Sequence, residues 1–244
     1  MKPTLRSSAP LLVTGFALLW SLGHLSALAP VEPSFELVLA RFNTTAQPPY
    51  RAFRRLEAGN PGSKKFASMD AWTEYQPGRG FTFEVVREEG SEYIRNRVLR
   101  GILTSEQDLI KRGKPLRATL DAKNYNFEAG GSTEAGLQRV VLKAARKSDG
   151  IVNGSLFMEP GSGDLVSIEG RLVKSPSFWV RDVDVIWKYG RIGGHLVPIE
   201  MSTIGRVRLY GRATFRMVYD YVLIDGQPVG GGLKATLQAN TPHR

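Results

Sequence analysis

Asp182 and Asp184 alternate with Val183 and Val185, so on an extended strand both carboxylates project to one side. A pair of carboxylates can do acid–base work. Here Lys188 shares that side and arginines stand nearby, a pattern that describes a solvated sheet face rather than a reaction centre. The rest of the chain offers less. It has no cysteine nucleophile, and after residue 29 its imidazoles are His195, in a Gly-Gly-His turn, and His243 near the end. No HExxH, GxSxG or phosphate-loop pattern occurs, and no His/Cys/Asp cluster has metal-ligand spacing. The expectation is a protein that is not an enzyme, with no cofactor and no metal.

The aromatic residues carry more information. Trp179, Val183, Trp187 and Tyr189 share the odd-numbered face of one strand, with Val185 among them. Phe215, Met217, Tyr219 and Tyr221 share one face of another. Methionine and aromatic rings together make an adaptable apolar surface that suits loosely specified ligands. Ordinary core packing beneath a helix is the other reading. Phe83, in the strand-like piece Phe81–Val86, joins these as a candidate lining residue of an apolar cavity. Arg181 lies between Trp179 and Val183 on that otherwise apolar face, where a guanidinium requires a partner. A core carboxylate such as Glu169 or a polar group of a bound ligand fills that need.

The elements that position these residues follow from periodicity. Phe35–Phe42 reads as one short amphipathic helix before Gln47-Pro48-Pro49. Strand-like pieces Tyr50–Ala58, Phe66–Tyr75 and Phe81–Val86 are separated by Gly/Pro/Asn turns. From Glu92 to about Arg112, Ile94, Val98, Leu99, Ile102, Leu103, Leu109 and Ile110 cover one half of a helix. Ser91 suits its N-cap, and Gly113 with Pro115 its end. Ile94, Val98 and Ile102 are the residues expected to face a cavity from this lid. The second half alternates apolar and polar residues, as in Val166–Leu172 and Phe215–Leu223, and turns at Gly193-Gly194 and Asp225-Gly226 make a meander of hairpins. The fold class is therefore mainly β with helices: a strongly curved antiparallel sheet, with one long and one short helix covering its concave face.

The ends set the compartment. Lys2 and Arg6, the apolar run Leu11–Leu22 and the Ala27-Leu28-Ala29 stop form a secretory signal over residues 1–29, with cleavage after Ala29 or Ala27. The run is shorter than the about 20 residues of a membrane span. Residues 30–244 then form a single domain whose last stretch is a flexible tail, and the absence of cysteine removes both disulfides and a lipid anchor. The expected location is the periplasm, as a soluble monomer. The formal charge is +10 at pH 7. Export makes nucleic acid an improbable partner, so the positive surface either meets anionic head groups or simply maintains solubility.

The blocks YRAFRRLEA (Tyr50–Ala58), GSEYIRNRVLRGILTSEQ (Gly90–Gln107), KNYNF (Lys123–Phe127), Gly163–Met201 and GRATFRMVYDY (Gly211–Tyr221) resemble a divergent branch of the LolA-like and LolB-like lipoprotein-sorting proteins. The resemblance implies an incomplete antiparallel β-barrel, closed at its mouth by helices, with an apolar cavity for acyl chains. It implies a carrier or chaperone for lipoproteins or lipids, with an inner-membrane transporter and an outer-membrane acceptor as partners. The characterised carriers' cavity arginine has no matching motif here. The same fold also serves an envelope sensor or scaffold that binds lipid or mislocalised lipoprotein, which is the alternative reading.

Overall fold

The computed structural model describes residues 35–44, 46–114, 118–175, 180–208 and 211–230, all within the compact unit Glu32–Arg244. The expected signal segment, the C-terminal tail and Trp179 lie outside the described residues. Eleven strands form one antiparallel, curved, open sheet: β1 (Tyr50–Asn60), β2 (Lys65–Gln76), β3 (Gly80–Gly90), β4 (Tyr125–Ser132), β5 (Gln138–Ala144), β6 (Val152–Met158), β7 (Leu165–Leu172), β8 (Val180–Ile192), β9 (His195–Val207), β10 (Gly211–Ile224) and the short β11 (Gln227–Pro228). The order is β3-β2-β1-β10-β9-β8-β7-β6-β5-β4, with β11 beside β10. Two meanders are thus joined where β1 pairs with β10, and β3 and β4 are the free edges.

One rung of directly opposed residues proves that the apolar residues share a face. It runs Glu88, Met69, Leu56, Met217, Met201, Trp187, Ile168, Leu156, Val140 and Ala129, from β3 to β4. Opposed residues of an antiparallel pair point to the same side, so this is the inner face. Two helices cover it. The short helix Phe35–Thr44 lays Val38, Phe35, Leu39 and Phe42 on the β4–β8 half. The long helix spans 92–111, with Glu92–Ile94 and Arg100–Lys111 in α form and Arg95–Leu99 in π form. It covers β1, β2, β3 and β10 with Leu99 and Leu103 fully buried. The wider π turn draws Ile94 and Leu99, which face apart on an α-helix, toward the same side. At its end, Gly113 at φ 63 donates to the Ile110 carbonyl and Lys114 to Leu109, a Schellman closure that needs the left-handed residue. Ser91 sits at the N-cap without a side-chain bond; its backbone N–H donates to the Phe66 carbonyl at 2.8 Å.

Candidate functional site

The space between the long helix and the sheet holds a buried ion pair. β1 places Tyr50, Ala52, Arg54, Leu56 and Ala58 on the inner face, and Arg54 is only 1% exposed. Directly opposite it stand Ala71 on β2, which is small, and Tyr219 on β10. The long helix supplies the anion. Leu99, Leu103, Glu106 and Ile110 recur at helical spacing on its underside, and Glu106 is buried with them. Arg54 donates from Nη1 to Glu106 Oε2 at 2.6 Å and from Nη2 to Oε1 at 2.9 Å, a bidentate fork. Nη2 also donates to the Tyr50 hydroxyl at 2.6 Å.

Three rings surround the guanidinium, with Tyr219, Phe81 and Tyr50 centroids at 4.4, 5.0 and 5.9 Å. Burial works against the Arg54 charge, but Tyr50, Glu106 and Tyr219 outweigh it and hold its pKa well above the ordinary arginine value. Burial likewise pushes the Tyr50 and Tyr219 phenols far up, against the opposing pull of Arg54. Arg54, Tyr50 and Tyr219 therefore keep one protonation state across physiological pH, and the pair fastens the helix to the sheet. One donor is left over: Arg54 Nε is buried with no hydrogen-bond partner.

The fastening has further points along β3. Gln107 donates to the Phe81 carbonyl at 3.0 Å. A bulge in β3, where Val86 is the extra residue between the partners of Asp70 and Ala71, leaves Val86 in solvent and turns Glu88 inward, opposite Met69. There Arg95 Nη1 and Arg100 Nη2 reach its two carboxylate oxygens at 2.7 and 2.8 Å. The helix is thus held to the sheet by an apolar underside plus ionic pins from β1 and β3.

The candidate lining residues divide between two cores. Phe215, Met217 and Tyr221 are buried beneath the long helix, with Tyr219 and Phe83 half-buried beside them. Ile94, Val98 and Ile102 are half-buried and pack onto the same core. Val183 is buried farther along, and Trp187 is half-buried in the second core with Val185, Ile168 and Leu156. Met201, opposite both Met217 and Trp187, packs against both cores and joins them.

Arg181 is the correction. It does not lie on the apolar face but is exposed, facing Arg206. The register slips between Arg181 and Asp184, with Asp182 at φ 48, so the face on which Arg181 sits is the reverse of that of Val183. Glu169 accepts from Ser167 instead. Asp184 is outward as expected and pairs with Arg171 at 2.7 Å. The buried arginine is Arg54, and its signal was present in the sequence: a cation on the Tyr50, Ala52, Leu56, Ala58 stripe, matched by a lone acid, Glu106, on the apolar stripe of the helix.

Among the described residues no helix is long and apolar enough to cross a membrane, and no acidic or imidazole cluster has the makings of a metal site. No family model and no curated protein matches the chain. Among solved structures, the chain is similar to a DUF1329 family protein from Desulfovibrio piger, at 8% identity and a TM-score of 0.40, over 75% of this chain and 88% of that one.

Proposed function

We propose that this chain is a non-enzymatic periplasmic carrier that takes acyl chains of lipoproteins or lipids between its long helix and the inner face of its sheet. The observation that supports this reading most directly is the Arg54–Glu106 pair. An interior ion pair adds little stability over apolar packing of the same volume, because desolvation offsets most of the attraction. Placed between two elements, however, it defines one docked position and costs a defined amount to break. An otherwise apolar helix–sheet interface with such a pair at its centre closes tightly and reopens as a unit. The surfaces that opening would expose, Leu56, Met69, Leu99, Leu103 and Met217, are the ones an acyl chain would cover. The unsatisfied Arg54 Nε would then serve an ester or amide carbonyl at the head of that chain.

The test is uptake of fluorescent fatty acids by the delipidated protein. Affinity should be micromolar and rise by about 0.8 kcal/mol for each methylene added until the space is full. Glu106→Gln, which keeps shape and loosens the fastening, should speed uptake. Absence of binding, or binding indifferent to chain length, would overturn the carrier reading.

A further inference from the structure

Much of the outer face of the sheet carries paired charges. On the rung through Ser202, Arg216 meets Glu200 at 2.7 Å, and Lys188 reaches the same carboxylate at 3.3 Å. On the rung through Asp184, Arg171 is paired. Across on β1 and β2, Arg55 is paired with Asp70 at 3.0 Å. The last outward-facing rung of β8, β9 and β10 at the β1–β2 turn end of the sheet differs. Arg181 on β8 stands directly opposite Arg206 on β9, and Arg206 directly opposite Arg212 on β10. Opposed residues share a face and neighbouring strands lie about 4.8 Å apart, so three like charges project side by side. All three are exposed, and among the described residues no carboxylate pairs with any of them. The nearest acid in sequence, Asp182, lies in the bulge and its charge acts on Arg171.

Apolar residues border this row. The next rung runs Phe66, Gly59, Thr214, Ile204 and Asp184 across β2, β1, β10, β9 and β8. Phe66 is 67% and Ile204 40% exposed, with the bare backbone of Gly59 and the short Thr214 between them. Lys64 and Lys65, both exposed, complete the margin beside Phe66, Lys64 being held at φ 53. A sheet surface that gathers like charges without counterions and sets the exposed Phe66 and Ile204 beside them resists packing against another basic surface. It fits a plane that presents negative charge above an apolar layer.

We infer that this end of the sheet, with Arg181, Arg206 and Arg212 as the cationic row and Phe66 as interfacial anchor, docks the protein on anionic lipid bilayers. The arginines would engage phosphate groups of lipid heads, and the Phe66 ring would sit at the level of the glycerol backbone. This inference stands whether or not the interior takes up an acyl chain.

The experiment is co-sedimentation of the full chain with vesicles of phosphatidylcholine alone or of phosphatidylcholine with phosphatidylglycerol. Each variant is compared with its parent, so that the apolar N-terminal segment contributes equally to both. The parent should prefer the anionic vesicles, with affinity falling as salt rises. R181Q/R206Q/R212Q should lose about a hundredfold on anionic vesicles, at about fivefold per cation, and little on neutral ones. Its melting temperature should not fall, since it relieves like-charge opposition. Phe66→Ser should weaken binding at high salt, where the electrostatic part is screened. Equal binding to both vesicle types, or a triple variant that matches its parent, would overturn the inference. Tight binding of inorganic phosphate, lost in the triple variant, together with Phe66→Ser being silent would assign the row to a soluble phosphate ligand and overturn the bilayer.

Discussion

The two halves of the sheet are built to different chemical plans. Under the short helix, the core of β4–β8 is aliphatic and aromatic: Leu142, Ile151, Val152, Leu156, Met158, Leu165 and Ile168 are nearly or wholly buried. Its helix is keyed in by rings, Phe35 against Phe127 at 5.2 Å and Phe42 against Tyr189 at 5.4 Å, and by Asn43. Under the long helix, β1, β2, β3 and β10 hold charge instead. Among the described residues, Arg54 and Glu106 are the charged side chains buried between this helix and the sheet, while the buried Asp70 and Asp220 sit on the outer face of the same half. An apolar core gains stability from every contact and gives little reason to separate. A core with a central ion pair gains less and fixes one docked geometry more sharply. The first plan anchors a scaffold, and the second suits a part that moves against it.

The largest effect should come from breaking the ion pair on one side only. Glu106→Ala leaves the Arg54 guanidinium buried and uncompensated, and should lower stability by about 3–5 kcal/mol in denaturant unfolding. The double replacement Arg54→Met with Glu106→Leu should recover most of that loss and stiffen the lid, with slower uptake of a fatty-acid probe. A double variant as unstable as Glu106→Ala would show that the pair is not what sets the docking of the helix.

In the other half, Leu156→Ala should cost about 2–5 kcal/mol through lost burial and the cavity left behind. Because this residue belongs to the scaffold, affinity for the probe should stay at the parental value once the protein is folded. A selective loss of binding would mean that the second core lines the ligand space as well.

How much of this was legible in the sequence depends on register. Phe215, Met217 and Tyr221 keep strict alternation over an undistorted stretch of β10, so the sequence placed them on the inner face. Gly113 closed the long helix because only its left-handed backbone completes that turn. Arg181 was misplaced because a bulge adds a residue that no propensity marks, and a shift of one residue exchanges the faces. The π turn at Arg95–Leu99 was hidden for the same reason: no propensity marks the one extra residue that it holds. The Arg54–Glu106 pair was visible as two misfits on two apolar stripes, yet their meeting depends on how β1 and the helix lie across each other, which sequence spacing does not carry.

A smaller effect tests how the short helix is attached. Asn43 Nδ2 donates to the Leu120 carbonyl at 2.6 Å, and Leu120 N–H donates to Asn43 Oδ1 at 3.0 Å. The side chain thus acts as a strand-like partner for an otherwise unpaired peptide. Asn43→Ala should cost about 1–3 kcal/mol by leaving those backbone groups unmet. Hydrogen exchange should rise at Leu120 while the amides of the long helix keep their parental rates. Equal acceleration in both helices would mean that the two halves open together.

The smallest effect concerns pH, and it separates the outer ladder from the buried pair. Hydrogen bonding from Arg216, with a further contribution from Lys188, holds the Glu200 carboxyl below its ordinary value, against the opposing effect of burial. The sign follows from linkage. A carboxyl whose folded pKa is depressed contributes stability above its unfolded pKa, and loses it as pH falls through the folded one. Glu200→Gln should therefore matter slightly at neutral pH and not at all once acid has protonated the parent's carboxyl. Arg216 and Lys188 are about half exposed, so solvent and salt screen the contribution and keep it within the range of surface ion pairs. The difference in melting temperature between parent and Glu200→Gln should shrink toward zero between neutral and strongly acidic pH, and shrink likewise with added salt at pH 7. The Arg54–Glu106 pair is out of reach of such screening, so the loss caused by Glu106→Ala should hardly change with salt. A strong salt response there would mean that water already enters beneath the long helix in the resting protein.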